Sequence, residues 1–154
     1  MSAPAGRDVQ HGETPAPIAG VLETCLYASD LDSAARFYVG TLGLELFARE
    51  PGRHVFMRCG AGMLLVFDPA RTSIAPGDVG GVPVPAHGTR GAGHVCFRIG
   101  DGELAAWRER LERADVAIEA EIAWPRGGAS LYVRDPAGNS VELAPATIWP
   151  SPRG

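Results

Sequence analysis

Lysine is missing from this 154-residue chain, and all 14 of its basic residues are arginine. That absence excludes Schiff-base catalysis and Walker-type phosphate loops, both of which depend on a lysine amine. Cysteine is scarce: Cys25, Cys59 and Cys96 make an odd set of three with no CxxC pair. A disulfide framework or a cysteine-rich zinc motif is therefore not expected, and a reducing cytoplasm fits best. No apolar run approaches the roughly 20 residues needed to span a bilayer, so no membrane partner is expected. The arginines are scattered among 18 acidic residues, giving a net charge of -4, and they form no basic stripe. Nucleic acid is accordingly not an expected partner. The opening "MSAPAGRDVQHGETPAPIAG" lacks the apolar segment of a signal peptide, and residues 1–17 read as a flexible tail.

What is present is a chain that is 45% hydrophobic, enough for one substantial core or for two small modules that share one. "VLETCLYAS" alternates as a strand, with Glu23, Cys25 and Tyr27 facing one way. In "SDLDSAARFYVGTLGLEL", Ser29 or Asp30 can cap a helix carrying Leu31, Ala34, Ala35, Tyr38 and Leu42 at helical spacing, and Gly43 can end it. "LELFARE", "HVFMRC" and "MLLVFD" then read as three strands. After a Gly/Pro-rich linker the order repeats. "HVCFRIG" is a strand, and "DGELAAWRERLERADV" is a helix with Leu104, Trp107 and Leu111 on one stripe. "VAIEAEIAW" is a further strand, and "ASLYVRDPAGNSVELAP" is a hairpin turning at "DPAGN". The expected organisation is an α+β fold of two βαβββ modules, at 18–70 and 91–146, with a linker at 71–90 and a C-terminal tail at 147–154. Neither unit is expected to bury its sheet face alone.

Superposing the two units pairs Glu23 with His94, Cys25 with Cys96, Asp30 with Asp101 and Arg58 with Arg134. Allowing two extra turn residues in the second hairpin pairs Leu64 with Glu142. Two metal-ligand types thus stand at equivalent points of a repeat, and a third lies on the matching last strand. A charge facing inward is costly unless it is paired or bound to a metal.

The segments "YASDLDSAARFYVGTLGLEL" and "LYVRDPAGNSVELAP" resemble signature segments of the vicinal oxygen chelate superfamily, which includes glyoxalase I, bleomycin-resistance proteins and extradiol dioxygenases. The resemblance covers Val21 to about Pro145. It implies an incomplete eight-stranded barrel around a divalent metal ion, with ligands from the first and fourth strands of the modules. Carried over, these positions are Glu23, His94, Leu64 and Glu142. Leu64 cannot bind a metal, so the implied set is Glu23, His94 and Glu142. Two carboxylates and an imidazole suit Mn, Fe, Ni or Zn, and three ligands leave room for water or substrate.

These residues lead to a metal-dependent enzyme of the lyase or isomerase type, acting on a small substrate that presents adjacent oxygens, with Glu142 or Glu23 moving the proton. Two alternatives stand beside it: a metal-free drug-binding protein like the bleomycin-resistance relatives, and an extradiol-type dioxygenase. The substrate-binding candidates are Tyr27, His54, His87, Arg98, Trp124, Arg126 and Tyr132. Arg98 either clamps a substrate anion or pairs with an acid at the rim. His87, seven residues before His94, is either solvated or able to swing over the site as an acid, a base or a fourth ligand. "AWPRGG" is either an ordinary turn or a lid in which Trp124 stacks and Arg126 binds an anion. The cysteines read as small packing residues rather than nucleophiles. The resemblance also implies a homodimer, and the long linker from Pro69 to Gly93 permits an exchange of modules between chains, in which case the site uses Glu23 of one chain with His94 and Glu142 of the other.

Overall fold

A computed structural model of the chain describes residues 17–74 and 77–150. Except for Pro17, the N-terminal segment expected to be a tail lies outside the described residues, as do residues 75–76 of the linker and 151–154 of the C-terminal tail. Within the described residues the first module runs β1 (Glu23–Tyr27), α1 (Leu31–Ala35), β2 (Glu45–Glu50), β3 (His54–Cys59) and β4 (Gly62–Phe67). The linker begins with α2 (Pro69–Thr72) and carries a small ribbon of β5 (Asp78–Val79) and β6 (Val82–Pro83). It is therefore more ordered than its composition predicts. The second module runs β7 (His94–Ile99), α3 (Leu104–Arg113), β8 (Ile118–Ala123), β9 (Ala129–Arg134) and β10 (Ser140–Pro145), followed by a 3-10 turn at Ala146–Ile148.

The two modules have the same sheet topology, β1-β4-β3-β2 and β7-β10-β9-β8, with no closed barrel among the described residues of the single chain. In each, the first strand lies parallel to the last, and the remaining pairs are antiparallel. Each sheet also bulges at the same point, after Leu46 in β2 and after Ile118 in β8. The expected α+β fold of two βαβββ units is what is observed.

The first helix starts where Asp30 caps it, its carboxylate accepting from the Ser33 N–H at 2.9 Å and the Ser33 hydroxyl at 2.6 Å. These bonds hold the Asp30 carboxyl below the usual carboxylate range. From Arg36 to Thr41 the helix widens into a π-turn, and both Phe37 and Tyr38 are buried in the core, as their apolar positions on the helix predict. One cluster takes residues from both modules: Tyr38, Met57, Leu64 and Val66 from the first, and Phe97, Leu111, Leu131 and Val141 from the second. Burying each such side chain is worth roughly 1.5–3 kcal/mol, and sharing the core is how two small units reach a stable size.

A buried polar knot at the "DPAGN" turn locks the modules together. Asp135 accepts from the Tyr38 hydroxyl at 2.8 Å and from the Asn139 side chain at 2.8 Å. Asn139 in turn accepts from the Gly93 N–H at 2.7 Å and donates to the Tyr27 carbonyl at 3.2 Å. The chains come so close here that a Cβ on Gly93 would sit 2.8 Å from Leu26 Cδ2. His94 begins at the next residue, so the knot sets the start of the strand that carries it.

Candidate functional site

Each sheet turns one face to the shared core and leaves the other open, and strand parity assigns the candidate residues to the open faces. On β7, Val95, Phe97 and Ile99 turn inward while His94, Cys96 and Arg98 are exposed. Residues opposite one another in a parallel ladder share a face. Cys96 lies opposite Glu142, which therefore belongs to the same open face.

That ladder corrects the alignment of the repeats. Cys25, the counterpart of Cys96, lies opposite Leu65, so Leu65 is the structural partner of Glu142. Leu64 faces the other way and is fully buried in the core. The second hairpin inserts one residue, not two: Arg58 pairs with Met63 and Arg134 with Ser140. The chemical consequence survives, because Leu65 binds a metal no better than Leu64.

Glu142 is only 5% exposed. Its Oε1 accepts from the Ser130 hydroxyl at 2.5 Å, and Ser130 accepts from Trp124 Nε1 at 2.7 Å. Its Oε2 lies 3.5 Å from His94 Nε2, and the His94 ring runs nearly parallel to that of Tyr132, 6.3 Å away. Burial, and then the Glu142 carboxylate, push the Tyr132 hydroxyl up to about 12. The same two causes push the Cys96 thiol up to about 12, which leaves it protonated and a poor nucleophile near neutrality.

Glu23 does not join this cluster. It lies on the exposed start of β1 in the other module. Among the described residues no three His, Cys, Asp or Glu side chains converge on a point that one ion could occupy. One chain therefore brings together two of the three ligand candidates. Tyr27, His54 and His87 are also on the first module. The Tyr27 hydroxyl meets His87 Nδ1 at 2.9 Å, and the His87 ring packs edge-on against Phe67 at 4.7 Å. His87, rather than swinging free, pins the linker to β1 and β4. His54 stacks on Phe56 at 4.0 Å. Burial lowers its affinity for a proton, outweighing the opposing pull of Glu50.

Arg98 stays on the open face without an ion pair among the described residues, and Arg126 is exposed in the turn beside Trp124. Trp124 spends its indole N–H on Ser130, a supporting role that lid-like stacking did not anticipate. Sequence reasoning missed Ser130, although its parity with Tyr132 on β9 is a usable signal. It also missed Trp149, assigned to a tail, which stands exposed beside the site.

Comparison with known proteins agrees with this architecture. A crystal structure of lactoylglutathione lyase from Agrobacterium tumefaciens superposes with a TM-score of 0.81 at 44% identity, covering 87% of this chain and 98% of that one. A glyoxalase-related enzyme from Fulvimarina pelagi gives 0.60 at 27% identity, over 86% and 92%. TioX from Micromonospora sp. ML1 shares the fold at 0.62 and 22% identity, over 82% and 98%. A search of curated protein sequences gave no significant match. The family model described as the Glyoxalase/Bleomycin resistance protein/Dioxygenase superfamily matches residues 20–143, and with the paired modules this places the chain in that superfamily.

Proposed function

We propose that the chain is a divalent-metal-dependent enzyme of the glyoxalase type, acting on a small substrate that offers two adjacent oxygens. The observation that carries this reading is Glu142. It is a buried carboxylate that has no arginine partner among the described residues, and its Oε2 is aimed at an imidazole. Such a group is costly without a cation. His94 Nε2 and Glu142 Oε2 stand 3.5 Å apart, near enough that both would hold one ion. The donor set therefore fits Mn, Fe, Ni or Zn. Similarity to a lactoylglutathione lyase at 44% identity supports the same reaction type.

When bound, the ion would act as a Lewis acid toward the substrate oxygens. The chain's own residues supply the rest. Ser130 and Trp124 immobilise Oε1 of Glu142, which leaves Oε2 as the oxygen that binds or moves a proton. Tyr132, a protonated donor beside that carboxylate, can steady developing negative charge on the substrate. Glu23, from a second copy facing this one, would complete the ligand set in a homodimer.

Elemental analysis of protein purified without chelators tests this directly. About one equivalent of metal per chain is expected in the parent and none in His94→Ala. Mixing Glu23→Ala with His94→Ala chains should restore metal binding, because one site of the hybrid dimer is intact. Failure to restore it, with metal present in the parent, would refute the shared site.

A second reading, a metal-free groove for an aromatic compound, is favoured by the ring cluster of His54, Phe56 and Phe67 on the first module. In that case an aromatic ligand raises Tm and added metal does not.

A further inference from the structure

The family match ends at residue 143, whereas the described chain continues to Pro150. Beyond β10 the 3-10 turn closes with the Trp149 N–H donating to the Ala146 carbonyl at 3.1 Å. This segment walls a groove of about 520 Å³ floored by Cys96, Arg98 and Ala144 and bounded by Thr147, Ile148 and Trp149. The groove opens onto the site already described, since Cys96 lies opposite Glu142 in the ladder.

Two of its residues are in states that a merely structural role leaves unexplained. Arg108 and Arg134, in the same module, each bind a glutamate with two hydrogen bonds, to Glu121 and Glu119. Arg98 makes no hydrogen bond or ion pair among the described residues, although acids outnumber bases in the chain. Trp149 is 74% exposed at the mouth of the groove, with a proline following it. A guanidinium fork left open beside an exposed indole matches a ligand that is acidic at one point and apolar next to it.

We propose that this groove selects the substrate: Arg98 binds a carboxylate, and the adjoining apolar part of the molecule lies on Ile148 and Trp149. Four residue steps along β7, about 13 Å of rise, lead from His94 to Arg98. The carboxylate is thus at the end of the molecule remote from the reacting oxygens, and the substrate is an elongated acid. A carboxylate fits better than a phosphate, because one guanidinium balances one charge and a dianion would leave a surplus near Glu142. The inference rests on His94 and Glu142 being the reacting end.

Calorimetric titration of the full-length protein with hydrocinnamate and with its neutral amide, hydrocinnamamide, tests the groove. The acid is expected to bind at least about tenfold more tightly than the amide. Arg98→Gln should erase that preference. Trp149→Ala should weaken both compounds by about fivefold and leave their ratio unchanged. Equal binding of acid and amide to the parent, binding of neither, or a preference that persists in Arg98→Gln would overturn the proposal. His94→Ala should keep the acid preference while losing metal, so failure of the groove and failure of the metal site are read separately.

Discussion

The open faces of the two modules share a backbone and differ in chemistry. Where the second has Glu142 flanked by Ser130 and Tyr132, the first has Leu65 flanked by His54 and Phe56 in the same ladder positions. Where the second has Arg98, the first has Tyr27 tied to His87. The bulge residues diverge in the same way: Glu119 holds Arg134 by an ion pair at 2.6 Å, while Phe47 holds Arg58 by stacking at 4.6 Å. The duplicated frame thus carries one polar face built around a buried carboxylate and one aromatic face with Glu23 at its exposed edge. The difference teaches that repetition of the fold supplies positions, and that single side chains decide the chemical character of each face.

Converting one face into the other should produce the largest effect. Glu142→Leu gives the second module the residue of the first, and metal affinity should fall by more than about 100-fold in equilibrium dialysis. The metal-free protein should be no less stable than the parent, since a buried carboxylate is being replaced by an apolar side chain. The reciprocal change, Leu65→Glu, should cost about 3 kcal/mol in chemical denaturation, because the first face offers rings where the second offers donors. Retained metal in the first variant, or a fully stable second one, would break the contrast.

The junction between the faces comes next in magnitude. Asn139→Ala strips the Gly93 N–H and the Tyr27 carbonyl of their partners and removes a donor to Asp135. A loss of about 2–3 kcal/mol is expected. Because Gly93 precedes His94, metal affinity should drop as well; a stability loss without any change at the metal would detach the knot from the site.

The smallest effect concerns His54. Burial holds its folded pKa below the unfolded value of about 6.5. Its contribution to stability is therefore fully present above about pH 6.5 and is lost as the pH falls through the folded pKa. His54→Phe keeps the stack on Phe56 and removes the titration. Its Tm should fall less steeply than the parent's between about pH 7 and 5. An identical acid limb in both proteins would assign the parent's acid sensitivity to another group.

Much of this was legible in the sequence because it depends on local periodicity. Alternation on β1 and β7 assigned Glu23 and His94 to like faces, and the spacing of Leu104, Trp107 and Leu111 gave the second helix, which packs by that stripe. The error on the fourth strand has an equally local cause. A hairpin longer by one residue cannot be told by pattern from one longer by two when Leu64, Leu65 and Val66 are all apolar. Ser130 went unnoticed because parity with Tyr132 gives its face but not its partner, and Trp149 because a Pro-rich end looks like a tail.

The amino-acid order by itself determined the repeat, the two βαβββ units and the residue types able to bind a metal, since each follows from short-range period and turn chemistry. Only the tertiary structure decided that Leu65 stands opposite Cys25, that His87 is held by Tyr27, and that Glu142 meets His94 while Glu23 stays apart. Those facts depend on strand register and on the packing of one module against the other, which are set by contacts between residues far apart in the chain.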